Sequence, residues 1–463
     1  MFDLIPSDQE KAPLALRLAR SIVGWEIGGF PSDVGAKARI CLLDFLGGAL
    51  EACRLPWSRQ AAAIAASGGN ATIIGGADRV SQADAAFANA VSGHGLVRDD
   101  MHAPSLSHLG TVVWPALLAF AQQTRVDGRR LIAAGVIGYE VGAKLGRALA
   151  GPDFARRFRP TGFTGPVAAA AACAHLIGLD ERRTASAIAL AANMVGGLNQ
   201  WPYQGGEEMF FHAGLAARNA TTAVRLAECG ALGSERALDG EAGLLPTFGS
   251  APTVPDLTLF DGEPEILAVY CKPVPACNFA QTPCLAMLEL VLAESIDPEE
   301  VSRIELHMPR AAKDYPGCDH AGPFAHVLQA KMSIPYAVAS ALLHGTVDEA
   351  GYRNLADPRL LALTAKMVLQ ADDRLTAAFP QRQGAEVTVT LQDGRERSCR
   401  LADIVPADES RVRRRFREAA AERIGPDRTA ALEQAVDCLA ELDDAGKLME
   451  LVGGLPPPNH RQD

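Results

Sequence analysis

Several features that mark particular protein classes are scarce or missing in this sequence. Only 6% of the 463 residues are aromatic, and no two of the ten cysteines form a C-x-x-C pair. Such pairs are common in zinc and redox sites, so we expect reduced and mostly buried thiols rather than disulfides or bound zinc. Apolar runs such as residues 165–177 are shorter than the roughly 20 residues that a membrane-spanning helix needs.

An excess of positive charge is also missing. The chain has 44 basic and 55 acidic residues, a net charge of -11 at pH 7 and a pI of about 5.5. An acidic surface repels phosphate backbones, so we expect no nucleic-acid partner. The first residues contain no apolar core of signal-peptide length, and we therefore expect a cytoplasmic protein with no membrane partner.

Alanine, by contrast, is plentiful, in runs such as residues 168–172, and 48% of all residues are hydrophobic. Alanine favours helices and lets their axes approach closely, so this composition indicates packed helices rather than a β-sandwich. The length suggests two or three folding units with sizeable cores.

The hydrophobic periodicity changes near residue 268. Before it, apolar residues recur mostly at helical spacing, with one short strand-like piece at 71–74. After it, residues 301–308 and 386–391 alternate as half-buried strands do, and residues 392–395 predict a hairpin turn into a further strand at 396–401. Helices are predicted at 334–343 and 357–369. The sequence therefore predicts a mainly α protein with an all-helical domain at 1–267 and a smaller α+β domain at 268–424. A C-terminal helix at 425–453 packs on either domain, and a flexible tail follows at 454–463.

The densest group of polar side chains follows an alanine-rich helix, within residues 91–110. Three histidines and two carboxylates in so short a segment suggest a functional loop anchored by rigid helices. The group consists of His94, Arg98, Asp99, Asp100, His102 and His108. The alternative is structural, with His94 ending one helix and the two aspartates capping the next.

Two further cations are candidate carboxylate ligands. Lys272 lies in a proline-rich stretch that holds it on a stiff, extended loop, and Arg159 precedes a predicted helix N-terminus. The alternatives are a solvated lysine in a linker and a surface loop. A metal site on the 94–108 loop competes with these interpretations, but no H-E-x-x-H or similar motif is present, so we expect no metal ligands.

Segments in a fixed order resemble the MmgE/PrpD family, which includes 2-methylcitrate dehydratase, cis-aconitate decarboxylase and iminodisuccinate epimerase. The similar segments include LLDFLGGAL (42–50), ADAAFANAVSGHGLVRDDMH (83–102), RPTGFTGPVAAAAACAHLIGL (159–179), KPVPACNF (272–279) and KMSIPYAVASALLHG (331–345). No single segment is specific to the family, but the series covers nearly the whole chain.

This resemblance implies a large helical domain completed by the C-terminal helix, a smaller α+β domain, an active site in the cleft between them, and a homodimer. It also implies proton transfer next to a carboxylate of a small polycarboxylate, without a cofactor. His108 is the first choice as acid or base, with His102 as its partner and Asp99 or Asp100 orienting an imidazole or the substrate. The expected substrate-binding residues are Lys272, Arg98, Arg159, His94 and Tyr203.

The chain departs from the family pattern at five positions. Val97 and Met101 replace Asp and Thr of D-x-D-D-T-H, Arg159 replaces His of H-P-T, Met209 replaces a lysine, and Gln281 replaces a histidine. Losing candidate acid/base groups makes dehydration less expected than a reaction that needs fewer of them, such as epimerisation or isomerisation. We therefore predict a lyase or isomerase of dehydratase, decarboxylase or epimerase type. The alternative is a catalytically degenerate member that binds carboxylates or acts as a scaffold.

Overall fold

The computed structural model describes residues 12–25, 30–149, 151–249 and 254–454, and most of them are helical. The prediction of a mainly α fold with a smaller α+β part is confirmed. Within the described ranges, no helix is long and apolar enough to cross a membrane. Apart from Gly454, the tail predicted at 454–463 lies outside the described residues.

The N-terminal part is built from helices that pack around two apolar, alanine-rich ones. The helices are α1 (Leu14–Val23), α2 (Ser32–Ala52), α3 (Pro56–Ala63), α4 (Gln82–His94), α5 (Gly110–Ala121), α6 (Gly128–Leu149), α7 (Pro152–Arg157), α8 (Pro160–Ile177), α9 (Glu181–Ala192), α10 (Trp201–Gln204), α11 (Glu208–Glu228) and α12 (Leu244–Phe248). α5 and nearly all of α8 are buried. Small residues permit this packing: a Cβ on Gly138 of α6 would lie 3.1 Å from Ala172 of α8.

Two short antiparallel pairs accompany these helices. β1 (Ser67–Thr72) pairs with β2 (Arg79–Val80), so the strand lies a few residues before the 71–74 predicted for it. β3 (Met101–His102) pairs with β4 (Val269–Tyr270). The second pair matters for function, because it joins the histidine-rich loop to the chain immediately before Lys272.

The α+β part contains one four-stranded sheet. Its strands are β5 (Val301–Met308), β6 (Met367–Ala371), β7 (Ala385–Leu391) and β8 (Glu396–Leu401), in the order β6-β5-β7-β8. β5 is parallel to β6 and antiparallel to β7, which continues through a turn into β8. Its helices are α13 (Gln281–Ala293), α14 (Arg310–Lys313), α15 (Val327–Met332), α16 (Ile334–His344), α17 (Pro358–Thr364) and α18 (Asp373–Ala378).

The helix predicted at 357–369 is wrong in its second half. α17 ends at Thr364, and the following residues form β6 along the edge of the sheet. The apolar residues of 367–371 fit a helix by spacing alone, but pairing with β5 satisfies their backbone groups.

The last segment returns to the N-terminal helices. α19 (Glu409–Ile424) packs along α2, where a Cβ on Gly47 would lie 3.2 Å from the Phe416 backbone. The single helix predicted at 425–453 is instead α20 (Pro426–Asp437) and α21 (Leu448–Val452), separated by short 3-10 turns. Asp444 caps the second turn by accepting from the Gly446 N–H, which breaks the helical pattern.

Candidate active site

The loop between α4 and α5 has an unusual backbone. Val97 and Leu106 adopt left-handed conformations, with φ of 58° and 53°. A β-branched residue such as valine rarely does so, and strain of this kind concentrates at functional sites. The Lys272 ammonium, which is fully buried, donates to the Val97 carbonyl, so a contact from the distant 272 loop stabilises this conformation.

Asp99 is the centre of a buried cluster. Its Oδ2 accepts a hydrogen bond from Nδ1 of His94 at 2.9 Å and lies 3.0 Å from Nδ1 of His108. Its Oδ1 lies 3.9 Å from the Lys272 Nζ and has no hydrogen-bond partner among the described residues. Three residues that the sequence singles out, His94, His108 and Lys272, therefore surround the carboxylate of a fourth, Asp99.

The hydrogen-bond partners define the protonation of both imidazoles. Arg159 Nη2 donates to His94 Nε2 at 3.1 Å, so the proton of His94 lies on Nδ1. Nδ1 of His108 also donates to the Asp100 carbonyl at 2.9 Å. Within the described residues Nε2 of His108 has no hydrogen-bond partner, and its lone pair is left for a substrate.

The charges in the cluster follow from burial and proximity. Burial is the main cause that lowers the pKa of His108 to about 3. Lys272 and Arg159 lower it further, whereas Asp99 opposes the shift. Burial also opposes ionisation of Asp99, but the imidazoles and Lys272 outweigh it and hold its pKa well below the usual value. At neutral pH the cluster therefore combines a neutral His108 with an ionised Asp99.

A cavity of about 630 Å³ opens beside this cluster. His108 and Arg159 line it from the N-terminal part, and Lys272, Met332 and Phe379 line it from the C-terminal part. The two cations are suited to an anion. Burial lowers the pKa of Lys272 to about 8 and also lowers that of Arg159. The Arg159 Nε is buried and has no hydrogen-bond partner among the residues that the structure describes.

Two arginines of α19 fix the loop that carries Lys272. Arg415 donates to the Lys272 carbonyl at 2.8 Å, and Arg411 donates to the Pro273 carbonyl at 3.0 Å. Arg415 also pairs with the buried Asp44 of α2. The Lys272 loop is thus tied to a helix of the N-terminal part.

Asp100 supports the cluster from outside the cavity. Its carboxyl accepts from the Gly110 N–H at 3.1 Å and from the Tyr139 hydroxyl, which attaches the loop to α5 and α6. Burial raises its pKa to about 7. Only its backbone carbonyl contacts His108, so of the two aspartates Asp99 is the one whose side chain can orient the imidazole.

Of the nine predicted site residues, His108, Arg159 and Lys272 line the cavity. His94, Asp99 and Asp100 support these residues from behind the cavity wall, and the other three, His102, Arg98 and Tyr203, have different surroundings. Both ring nitrogens of His102 are engaged, Nδ1 with Ser105 at 2.8 Å and Nε2 with Glu265 at 2.9 Å. The expectation that His102 is the proton-transfer partner of His108 therefore needs correction.

The other two residues fail for different reasons. Arg98 pairs with Glu51 and does not line the cavity, so its charge is not available to a substrate there. Tyr203 lies 56% exposed beside a separate surface pocket with Pro202 and His320. Neither residue is placed to bind a carboxylate next to His108.

Sequence reasoning missed five cavity residues with ionisable side chains: Cys277, Tyr315 and the exposed Arg156, Arg310 and Asp314. The Cys277 thiol donates to the Met332 carbonyl at 3.2 Å and lies 3.8 Å from the Cys318 sulfur. This contact between the two sulfur atoms is the main cause that lowers the pKa of Cys277. It could not be predicted from the sequence, because only the fold brings the two cysteines together. Tyr315, which also lines the cavity, follows α14 without any motif that marks it.

Gln281 has a structural role that its position in the sequence did not reveal. Its amide makes four hydrogen bonds, donating to the carbonyls of Val274, Ala276 and Cys277 and accepting from the Val274 N–H. It is fully buried and does not line the cavity. The residue at this position therefore shapes the loop between Lys272 and Cys277.

The ligand atoms of His94, Asp99 and His108 lie within 4.8 Å of one another, close enough to share a metal ion. The hydrogen bonds oppose that use, because both Nδ1 atoms carry protons, which His94 donates to Asp99 and His108 donates to the Asp100 carbonyl. Lys272 and Arg159 add positive charge beside the cluster. This donor set fits an anionic ligand better than a cation.

Comparison with known proteins connects this geometry to a family. The MmgE/PrpD N-terminal domain matches residues 16–255, and the MmgE/PrpD C-terminal domain matches residues 274–441. Cis-aconitate decarboxylase-like protein oryM of Aspergillus oryzae is 27% identical, over 92% of this chain and 94% of its own length. Cis-aconitate decarboxylase of Homo sapiens is 25% identical over 95% and 94%, and that of Aspergillus terreus 30% identical over 43% and 42%. With both domain matches in chain order, the chain belongs to the MmgE/PrpD family.

Proposed function

We propose that this protein is a lyase or isomerase that transfers a proton at the carbon next to a carboxylate of a small organic acid. One observation carries the proposal: His108 has its Nδ1 fixed by Asp99 and its Nε2 unpartnered among the described residues, in a cavity that also holds Lys272 and Arg159. A general base needs a lone pair beside the reacting carbon, and the developing anion needs nearby cations.

Each residue has one role in this proposal. Arg159 and Lys272 bind the substrate carboxylate and stabilise negative charge that develops on it. His108 removes a proton through Nε2, or returns one in the opposite direction. Asp99 holds His108 in the required tautomer and stabilises its charged form.

Substrate binding itself makes His108 a better base. In the free protein the positive charges of Lys272 and Arg159 help to lower its pKa. A bound carboxylate offsets those charges, so the pKa of His108 rises towards neutrality in the complex. The acid/base group is thereby activated only when an anion occupies the cavity.

Relatives that span almost the whole chain are named cis-aconitate decarboxylase or a protein like it. These names favour the lyase branch, in which loss of CO₂ leaves the electron pair on the neighbouring carbon and that carbon is then protonated. In that branch His108 acts in its charged form and donates the proton that takes the place of CO₂ on carbon. Epimerisation or isomerisation begins instead with the neutral form of His108, which removes a proton from carbon, and ends when a proton is returned to the substrate.

The test is deuterium incorporation. Purified protein is incubated in D₂O with a panel of mono-, di- and tricarboxylates, and deuterium at carbon is measured by NMR together with released CO₂. We expect exchange with at least one acid and a loss of at least 100-fold in His108→Gln. His344→Gln, at an exposed position on α16, is the matched control.

Two results would contradict the proposal. Unchanged exchange in His108→Gln would remove His108 from its role. Binding of carboxylates without any exchange or CO₂ release would favour the degenerate alternative, a carboxylate-binding protein.

A further inference from the structure

We infer that the substrate carries one carboxylate for the buried cations and an apolar arm, instead of further carboxylates at the inner end of the cavity. This inference rests on the proposed function, because it concerns the substrate of the same site. It follows from the charge of the cluster and from the side chains that surround it.

The charge of the buried cluster is matched by one carboxylate. Arg159 and Lys272 contribute two positive charges, and Asp99 contributes one negative charge beside them. The imidazoles of His94 and His108 are neutral. The sum is +1, so one carboxylate neutralises the site, and a second one nearby is buried without a countercharge.

The Arg159 guanidinium offers a specific place for that carboxylate. Its Nη2 donates to His94, but its Nε is buried and has no hydrogen-bond partner in the part of the chain that the structure describes. A buried N–H that lacks a partner is costly, and a ligand oxygen removes that cost.

Much of the remaining cavity wall is apolar, although Cys277, Asn278 and Tyr315 also line it. Val97, Met101, Leu106 and Met209 are among the apolar lining residues, and their side chains offer no hydrogen-bond donor. Met209 is 1% exposed and Met101 is 3% exposed, so water does not supply the missing hydrogen-bond donors beside these side chains. A second carboxylate against these residues would lose its hydration without gaining donors, whereas an alkyl arm would gain apolar contacts.

Met209 is the most informative of these four residues. It lies on α11 and lines the cavity, so a lysine at this position would supply the charge and the donors that these apolar side chains lack. The remaining lining cations, Arg156 and Arg310, are exposed at the solvent side.

The experiment compares ligands of matched length by calorimetry. Hexanoate, adipate and tricarballylate are titrated into the protein, since they present a similar carbon chain with one, two and three carboxylates. We expect hexanoate to bind at least tenfold more tightly than tricarballylate. Tighter binding of tricarballylate, equal binding of all three acids, or no binding of hexanoate at 10 mM would overturn the inference.

Variants of α11 test the cause. Met209→Lys is expected to improve tricarballylate binding at least tenfold and to weaken hexanoate binding. Leu226→Lys adds the same charge at an exposed position of α11, and we expect no change. Met209→Leu keeps the apolar wall and the wild-type order of affinities, which provides a second test if Met209→Lys unfolds on thermal scanning.

The outcomes separate this inference from the proposed function. Binding needs no turnover, so a preference for hexanoate without deuterium exchange would leave the inference intact and remove the enzymatic proposal. Exchange with tricarboxylates, together with weaker binding of hexanoate, would do the reverse.

Discussion

Removing the charge of Asp99 gives the sharpest test of the buried cluster. The Asp99→Asn change keeps the shape of the side chain but leaves Lys272 and Arg159 without their shared countercharge. The amide also replaces one carboxylate oxygen with an NH₂ donor, either beside the Lys272 ammonium or where the His94 N–H needs an acceptor. Removing one partner of a buried charge pair typically costs about 3–5 kcal/mol, and we expect a loss of unfolding free energy in that range.

The distance between Asp99 and Lys272 sets the expected coupling. The Oδ1 and Nζ atoms are 3.9 Å apart. At an effective dielectric constant of about 20, two unit charges at about 4 Å interact by about 4 kcal/mol. Lys272→Met removes the partner charge while keeping much of the side-chain volume, so the double variant should lose less stability than the sum of the single variants, by about 2–4 kcal/mol.

The assay is urea unfolding of the four proteins at pH 7, with the coupling taken from the double-mutant cycle. The effect of pH has a defined sign. The pKa of Asp99 is lowered in the folded protein, so its contribution is present above its unfolded pKa of about 3.9 and is lost as pH falls towards the folded value. If the stability losses of the two single variants add up to that of the double variant within about 0.5 kcal/mol, the cluster is not an electrostatic unit.

Three further predictions concern residues around the cavity. The pKa of Asp100 is raised to about 7, so this carboxyl reduces the stability of the fold as pH rises from about 4 to 7. Asp100→Asn should remove up to about 4 kcal/mol of that pH dependence in unfolding experiments. An unchanged dependence of unfolding free energy on pH would contradict this prediction. Gln281→Met should lower unfolding free energy by about 2–4 kcal/mol and reduce turnover, because four hydrogen bonds to the Lys272 loop are lost; full activity would exclude a positioning role. His102→Gln should cost about 1–3 kcal/mol of stability but leave KM and kcat within about threefold, and a 100-fold fall in kcat would restore His102 to the catalytic machinery.

The sequence predicted well where the signal is local. The alternation of 301–308 defined β5 at both ends, because one face of the strand meets the core, and the turn predicted at 392–395 defined β8. In the 91–110 segment, His94, Asp99 and His108, which are close in the sequence, are also in contact in the fold.

Prediction failed where a distant contact decides. His102 and His108 are equivalent in the sequence, but pairing of β3 with β4 directs His102 to Glu265, 163 residues away. The 367–371 segment forms a strand because its backbone pairs with that of β5. Periodicity alone contains no information about such pairings, since they depend on tertiary contacts.

The attachment of α19 has a consequence for protein engineering. Arg415 connects the Lys272 loop to Asp44, so the geometry of the carboxylate site depends on a residue towards each end of the chain. A chimera that exchanges only the C-terminal domain with a relative would replace Arg415 but retain Asp44 from the original parent. The smallest segment that can be transplanted with its site intact therefore includes both α2 and α19. Recombination at residues 255–274, between the N-terminal and C-terminal family domains, separates residues that have to be inherited together.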